Sequence, residues 1–427
     1  MINREYPPHV SIIVPVFKPG REIIQKCIDS LLNQSLKEIE IIFVDDCGND
    51  ASMEAVYAAA KNDDRIIVVN NSENLGPGES RNKGIEIARG DYISFVDSDD
   101  TIAEDFLALL YKKAIDSNAD VICGKVVCTD KNGKISTDYD DQWRIDYIKS
   151  GLETGKPFYT LLNSHHVSAI YSRNLIMYSN SRYGKTAMGE DLVFLIKALN
   201  NAKKLEIEDR AVYFYSENVD SLCHIFSAKT IWNDYNSFVE LLGYMNENMV
   251  FDKNAASFIC NRIHNLQRNI ALGNVTDGVK NTSIEVLNKL VSTVQSSHIM
   301  DVIDYCSMEV KTLALHGYNL IFLPPSGLEE ETTFLFNLDA VERAMIFARE
   351  NKNCKSIYKY FGLNSIREIV KLINNVKIAN APRAKAFSNR LKRLLWSPQV
   401  WLKNGVTIQG LFVLFYCKIV MENAKTR

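Results

Sequence analysis

Three carboxylates that follow an apolar run are the residues of this chain best suited to binding a metal ion. Asp97, Asp99 and Asp100 come directly after the run 92–96. Mg2+ and Mn2+ prefer oxygen ligands, and they usually bind one or two protein carboxylates together with the phosphates of a substrate. The pattern therefore predicts a site for a divalent cation and a diphosphate. In an alternative interpretation, these aspartates cap a helix that starts near Ala103, since Asp is a favoured N-cap residue.

A second pair of carboxylates, Asp45 and Asp46, has the same position relative to an apolar run. The pair follows the run 40–44, and the runs 9–17 and 92–96 also have the composition of buried strands, with helical stretches between them. This alternation predicts an α/β fold with a mostly parallel, Rossmann-like sheet and helices on both faces. Because ligands of such sheets bind at the carboxyl ends of the strands, all these carboxylates should lie along one edge.

The order of these motifs resembles that of the family 2 glycosyltransferases, which have the nucleotide-binding GT-A fold. The resemblance rests on SIIVPVF near the start, on IIFVDDCGNDAS, and on ENLGPGESRNKGIEIARGDYISFVDSDD. It implies a GT-A catalytic domain over 1–225, with a donor half over about 1–100 and an acceptor half over about 101–225. Lys18 and Cys47 depart from the family pattern, and both could alter which base or sugar is preferred.

The resemblance implies that the donor half binds a nucleotide-sugar, in particular a UDP-sugar. Asp45 or Asp46 would accept a hydrogen bond from an N–H of the uracil base. Pro15, Val16 and Phe17 would form the floor and wall of the base pocket.

The resemblance also assigns the residues that face the diphosphate and the metal. Arg81 would place a cation near the base or the diphosphate, because its rigid fork of donors suits either group. Asp97 would contact the ribose or the water shell of the metal, with Ser98 beside it in the donor site. Asp99 would bind Mn2+ or Mg2+ directly, with Asp97 as a further ligand and His224 as a candidate third one.

Two adjacent acids, Glu190 and Asp191, precede an apolar stretch with helical periodicity. One interpretation is that they only compensate the dipole at the start of a helix. The resemblance instead implies that Asp191 is the general base for the acceptor hydroxyl, and that Glu190 binds or orients the substrate. A base on the face opposite the leaving diphosphate implies inversion in a single displacement. His165 and His166 lie in the same half of the chain without an assigned role.

Composition and length fit a cytoplasmic enzyme of two or three domains. The chain has 427 residues, of which 46% are hydrophobic and 24% are charged, as in ordinary globular proteins. Its N-terminus has no apolar stretch of the signal-peptide type. The nine cysteines show no CxxC spacing, so free thiols in a reducing compartment are expected.

Beyond about residue 225 the resemblance ends, and helical periodicity predicts a mainly α-helical region over 226–368 that could shape the acceptor pocket or mediate oligomerisation. The segment 369–421 contains nine Lys and Arg residues and no Asp or Glu, with Trp396 and Trp401 among them. A basic amphipathic tail over 369–427 predicts peripheral contact with the inner face of a membrane. Docking of this tail on the protein's own helices is the alternative. Nucleic-acid binding is a weaker interpretation, because no recognised fold accompanies the charges.

Together these motifs predict a metal-dependent, inverting glycosyltransferase that transfers a sugar to a saccharide or lipid-linked saccharide in surface polysaccharide synthesis. The QxxRW element of processive synthases is absent from the expected place, which favours the addition of one or a few sugars. A sugar-nucleotide nucleotidyltransferase is one alternative, but it leaves Glu190 and Asp191 unexplained. A non-catalytic scaffold is another, against which the intact Asp97, Asp99 and Asp191 argue.

Overall fold

A computed structural model describes residues 7–130, 133–136, 141–161, 165–186, 188–216, 227–273 and 280–306. The strands in this part of the chain are β1 (Val10–Val16), β2 (Ile39–Asp45), β3 (Ile66–Asn70), β4 (Tyr92–Phe95), β5 (Thr101–Ile102), β6 (Val121–Thr129), β7 (Ala169–Ser172) and β8 (Leu205–Ser216). The helices are α1 (Arg21–Leu32), α2 (Ser52–Ala60), α3 (Pro77–Ile87), α4 (Phe106–Ser117), α5 (Gln142–Glu153), α6 (Arg173–Tyr178), α7 (Glu190–Asn201), α8 (Ala228–Glu247), α9 (Lys253–Gly273) and α10 (Lys280–Ser296). Short 3-10 helices occupy Phe158–Thr160, His166–Ser168 and His298–Tyr305.

The described strands form one mixed sheet in the order β3-β2-β1-β4-β7-β6-β8-β5. Strands β3, β2, β1 and β4 are parallel, as the alternation of strands and helices predicts. Strand β7 is antiparallel to both β4 and β6, and β5 is antiparallel to β8, whereas β6 and β8 are parallel. The predicted α/β architecture is therefore confirmed, with a parallel half at the N-terminal end of the chain and a mixed half after it.

The centre of the sheet is buried on both faces because helices cover it. Every residue of β1 is buried, and all of them except Ser11 are apolar, as expected for a strand that is covered on both faces. Helix α1 packs through one stripe of side chains, Ile24, Cys27, Ile28 and Leu31. Helix α3 approaches β1 so closely that a Cβ on Gly84 would lie 2.4 Å from Cγ2 of Ile13. Only glycine allows this packing.

The helix expected near Ala103 begins later than the sequence predicts. Residues 101 and 102 form strand β5, and α4 starts at Phe106. Asp100 is therefore too far from the first turn of α4 to cap it, and that alternative is wrong. The physical reason lies in strand β8, which supplies both hydrogen bonds of the Asp100 carboxylate, as described below.

The described residues belong to two compact units. The first contains the described residues up to 216 together with 236–248, and the second contains 227–235 and 249–306. Helices α8, α9 and α10 occupy the part of the predicted helical region that is described. The rest of that region and the basic tail 369–427 lie outside the described residues. Among the helices that are described, none combines the length and apolarity needed to cross a membrane.

Candidate active site

The carboxyl ends of three parallel strands bring both carboxylate clusters to one edge of the sheet. Asp45 is the last residue of β2 and is paired in register with Val16, the last residue of β1. Asp97 follows β4, which is the other neighbour of β1. This is the edge at which open α/β sheets bind their ligands.

Asp46 fixes the loop that leads into α3. Its Oδ1 accepts hydrogen bonds from Asn71 Nδ2 at 2.7 Å and from the Leu75 N–H at 2.8 Å. Its Oδ2 accepts one from the N–H of Gly76 at 2.8 Å, and the side chain is buried. Gly76 has a φ of 86°, a conformation that favours glycine. Because three N–H groups of the protein already occupy this carboxylate, Asp46 has a structural role.

Asp45 is the member of the pair that remains suited to contacting a base. It is half-buried, and its Oδ1 accepts the N–H of Cys47 at 3.0 Å. Among the described residues no group donates to its Oδ2. A partly exposed carboxylate oxygen at a strand end can accept an N–H from a nucleobase.

The three residues expected to line the base pocket differ in exposure. Pro15 and Val16 are buried, so they can support a pocket only by packing beneath it. Phe17 is 47% exposed, and Nζ of Lys18 lies 5.1 Å from the centroid of its ring. Only Phe17 therefore presents a side-chain surface to a ligand, and Lys18 adds a cation to that surface.

Arg81 connects the carboxylates that the sequence assigns to the donor and acceptor sides. Its Nη2 donates to Oδ1 of Asp97 at 2.5 Å, and its Nη1 donates to Oε1 of Glu190 at 3.2 Å. The guanidinium is buried, and its Cζ lies 5.1 Å from the centroid of the Tyr183 ring. A buried cation is tolerated only when it is paired, and two carboxylates and an aromatic face supply that pairing. Arg81 thus binds protein carboxylates, where the sequence predicts contact with the base or the diphosphate.

Asp100 is held by strand β8. Its Oδ2 accepts the Tyr213 hydroxyl at 2.6 Å, and its Oδ1 accepts the N–H of Ser216 at 2.8 Å. The Tyr213 hydroxyl also accepts the N–H of Asp97 at 3.1 Å. Asp100 and Tyr213 therefore fix the turn that presents Asp97, Ser98 and Asp99 at the sheet edge.

Asp99 carries a carboxylate that forms no ion pair with a described side chain. Burial, followed by the charge of Asp97, raises the pKa of Asp99 to about 6. No described side chain donates to its carboxylate, and the half-buried Ser98 separates it from Asp97. Carboxylates of this kind fit a divalent cation, because the cation would offset both the burial of the charge and the repulsion from Asp97, which together raise the pKa of Asp99.

A cation at this place would need ligands from outside the described residues. Within the described ranges no three His, Cys, Asp or Glu side chains are grouped to hold a metal ion. Asp97 and Asp99 match the pattern in which one or two carboxylates bind Mg2+ or Mn2+ and substrate phosphates complete the shell. His224, the predicted third ligand, lies outside the described residues.

Glu190 is the buried member of the acid pair that begins α7. Burial, followed by the charge of Asp191, raises the pKa of Glu190 to about 7, although Arg81 opposes this shift. Helix α3 approaches it closely, since a Cβ on Gly78 would lie 2.9 Å from Cγ of Glu190 and 2.8 Å from the carbonyl oxygen of Gly184. Gly78 therefore allows α3 to reach the N-terminus of α7.

Asp191 is more open than Glu190. Its side chain is 28% exposed, and its Oδ1 accepts the N–H of Leu192 at 2.9 Å. Nδ1 of His166 lies 3.7 Å from its Oδ2. The structure thus separates the two acids into a buried one bound to Arg81 and a partly exposed one beside a histidine.

Three side chains that shape this site have no role assigned from the sequence. His166, Tyr183 and Tyr213 each contact an acidic or basic group of the site across a long stretch of chain. Because the partners are far apart in the sequence, no local spacing pattern predicts these contacts. In the sequence, only the position of His166 within the predicted acceptor half indicates that it could belong to the site.

Comparison with known proteins identifies relatives of the N-terminal part of the chain. Residues 11–177 match the family model described as Glycosyl transferase family 2. EpsH of Bacillus subtilis (strain 168), which is named as a glycosyltransferase, is 33% identical over 230 residues; the match covers 52% of this chain and 64% of EpsH. The match therefore spans less than two thirds of that relative.

Two further proteins are similar over longer ranges. The GalNAc(5)-diNAcBac-PP-undecaprenol beta-1,3-glucosyltransferase of Campylobacter jejuni is 25% identical over 241 residues, covering 56% of this chain and 72% of that protein. The crystal structure of S. aureus TarS 1-349 in complex with UDP-GlcNAc has a TM-score of 0.54 at 21% identity, covering 71% of this chain and 86% of that one. This last likeness confirms the predicted fold.

Proposed function

Residues 11–177 belong to glycosyl transferase family 2 and form a GT-A fold, and from this premise we propose that the protein is an inverting glycosyltransferase. In this proposal the donor is a nucleotide-sugar with UDP as the leaving group. The acceptor is a saccharide or a lipid-linked saccharide of surface polysaccharide synthesis.

The bridge made by Arg81 is the observation that carries the proposal. One side chain contacts both Asp97, at the donor edge of the sheet, and Glu190, beside the proposed base. A transfer reaction between two substrates depends on holding both in one place. If the carboxylates at the sheet edge only stabilised loops, a buried arginine between Asp97 and Glu190 would not be required.

For the donor, we propose that Asp45 accepts the uracil N–H and that Phe17 packs against the base. The bound UDP-GlcNAc in the similar TarS structure supports a UDP-sugar. Asp99 and Asp97 would hold Mn2+ or Mg2+. When bound, such a cation stabilises the negative charge that develops on the departing diphosphate, an effect worth several kcal/mol.

For the transfer step, we propose that Asp191 takes the proton of the acceptor hydroxyl. The hydroxyl oxygen forms its bond to the anomeric carbon while the bond from that carbon to the diphosphate breaks on the opposite face. The sugar is therefore inverted in one displacement. Glu190, tied to Arg81, holds the start of α7 so that Asp191 faces the acceptor.

The name of the Campylobacter jejuni relative supports a lipid-linked acceptor. We propose that the protein works at the inner face of the membrane and contacts it through the basic segment 369–421. Clustered Lys and Arg near an anionic leaflet contribute about 1 kcal/mol each. Flotation of the full chain with anionic liposomes, compared with a chain that ends near Ile378, tests this contact. Equal partitioning of the two chains would contradict it.

A screen of nucleotide-sugars with Mn2+ tests the proposed function. The full chain should release a nucleoside diphosphate and form a glycosylated product with at least one donor. Release of pyrophosphate from nucleoside triphosphates instead would identify a nucleotidyltransferase. If the protein binds UDP but transfers sugar from no donor to any saccharide or lipid-linked acceptor, a non-catalytic scaffold would be supported.

A further inference from the structure

His166 lies beside the proposed base in a closed, aromatic environment. Its side chain is 8% exposed, and its Nδ1 is 3.7 Å from Oδ2 of Asp191. Its ring centroid lies 5.3 Å from that of Tyr183 and 6.0 Å from that of Phe95. These rings leave the imidazole little freedom to rotate, so the histidine has a fixed orientation toward Asp191.

The second ring nitrogen of His166 has no partner among the described residues. Nε2 is fully buried and forms no hydrogen bond. Leaving a buried polar atom unpaired costs about 1–3 kcal/mol, so such an atom calls for an explanation. An apolar residue of similar shape would fill the same space without this cost. The other nitrogen, which faces Asp191, supplies a reason for a histidine at this position.

We propose that His166 is a positioning residue for Asp191, with its Nδ1–H donating to Oδ2 while the N–H of Leu192 donates to Oδ1. This inference rests on the proposed function for its consequence. A separation of 3.7 Å is longer than a hydrogen bond, but catalytic hydrogen bonds are often long in the unliganded state and shorten when substrates bind. Two donors from different elements would then fix the plane of the carboxylate against the acceptor hydroxyl.

The proton balance of the step is simple. As the acceptor oxygen bonds to the anomeric carbon, its proton moves to Asp191, and the electron pair of the breaking bond leaves with the nucleoside diphosphate. In this proposal His166 keeps the proton on Nδ1 before and after the transfer. It acts by holding the carboxylate, so it is not itself the base.

The ionisable groups around this pair come from several elements. They are His165 before the 3-10 helix, Tyr171 of β7, Tyr183, Glu190 of α7, and Arg144 of α5 with its partner Asp141. Burial raises the pKa of the Tyr171 and Tyr183 hydroxyls well above the usual value, so both stay neutral in the physiological range. Arg144 and Asp141 form a buried ion pair at 2.6 Å.

Substitutions at His166 separate the donor function from the packing function. His166→Asn keeps an N–H close to the position of Nδ1, whereas His166→Phe keeps the ring and removes the donor. We expect His166→Phe to lower kcat about 100-fold with the KM for the donor unchanged, because a misplaced group of this kind costs about two orders of magnitude. We expect His166→Asn to recover most of the lost activity.

The acid limb of the pH profile should move to higher pH in His166→Phe, since a carboxylate that loses a donor is easier to protonate.

A matched control exists at the opposite end of the sheet. His9 precedes β1, its Nδ1 lies 3.9 Å from Oδ2 of Asp91, and it stacks on Tyr111. His9→Phe should leave kcat and the pH profile unchanged. Equal kcat values for wild type, His166→Phe and His9→Phe would overturn the proposal, as would a loss in His166→Phe that His166→Asn does not relieve.

A measurement without turnover separates this inference from the proposed function. Nitrogen-15 NMR of the full chain reports which imidazole nitrogen carries the proton. We expect His166 to be protonated on Nδ1, and Asp191→Asn to shift that signal. A neutral ring protonated on Nε2 would overturn the inference even if the protein transfers sugar. If His166 is protonated on Nδ1 but the protein transfers sugar from no donor, the pairing of His166 with Asp191 would be supported and the proposed function would be rejected.

Discussion

The guanidinium of Arg81 donates to the carboxylate of Asp97 at 2.5 Å across the gap between α3 and the end of β4. Arg81 is buried, whereas Asp97 is partly exposed at the sheet edge. Since the other terminal nitrogen of Arg81 binds Glu190, the positions of the two acids depend on one residue.

Replacing Arg81 with Ala should destabilise the fold strongly. The change leaves Glu190 buried without its cation, and breaking a buried ion pair in this way costs about 3–5 kcal/mol. The midpoint of urea unfolding should therefore fall. Arg21→Ala is the control, because the Arg21–Glu54 pair is exposed and such pairs contribute about 0–1 kcal/mol. Equal midpoints for the two variants would show that the Arg81 bridge is not important for stability.

Replacing Gly78 with Ala should impair activity by moving Glu190. The added Cβ would lie 2.8 Å from a backbone oxygen, which cannot move aside as easily as a side chain. We expect transfer to fall about 100-fold, as for other misplacements of about 1 Å, in protein that still folds. In Gly243→Ala, where the added Cβ meets nothing within 4 Å inside α8, activity should be unchanged. Full activity of Gly78→Ala would show that sugar transfer does not depend on the position of Glu190.

The raised pKa of Glu190 predicts a pH dependence of stability. An ordinary glutamate has a pKa of 4.5, whereas the pKa of Glu190 in the fold is about 7, so between these values the folded state binds more protons than the unfolded state. Stability should therefore fall as the pH rises from about 4.5 to about 7, by about 3 kcal/mol from this residue. Unfolding of Glu190→Gln in a chelating buffer should lack that part of the slope. An identical slope in the two proteins would contradict the assignment.

Replacing Asp99 with Ala should remove metal-assisted donor binding. Titration calorimetry with UDP should show that Mn2+ strengthens binding to the wild type and has little effect on Asp99→Ala. A chelator should reduce wild-type transfer in the same way. Asp116→Ala, an exposed aspartate of α4, is the control and should behave as wild type. A full response of Asp99→Ala to Mn2+ would place the cation elsewhere.

Much of the architecture follows from local patterns in the sequence. The buried runs that become β1, β2 and β4 are mostly apolar, with Ser11, Glu40 and Ser94 as exceptions, and the chain alternates them with helices. The parallel half of the sheet is therefore predictable. The carboxyl-end rule then places Asp45 and Asp97 at one edge without any knowledge of side-chain contacts. The mixed half was harder to predict, because β5 has two residues and β7 has four.

The roles of individual acids depended on distant partners. Asp45 and Asp46 are equivalent in sequence, but loop residues 71–76 take up Asp46 and leave Asp45 partly exposed. Asp100 has the type and place of a helix cap, but Tyr213 in β8 supplies its hydrogen bond. Tertiary contacts determine the role of each aspartate, and these contacts cannot be predicted from the spacing of residues in the sequence.

We propose that Asp191 takes the proton of the acceptor hydroxyl, and the rest of the mechanism depends on this role. The most direct measurement compares donor binding and sugar transfer in the same preparation of Asp191→Asn, because the amide keeps the shape of the carboxylate but is a far weaker base. We predict that the nucleotide-sugar binds as tightly as in the wild type while transfer falls by about 10²- to 10⁴-fold. Transfer at the wild-type rate would contradict the account.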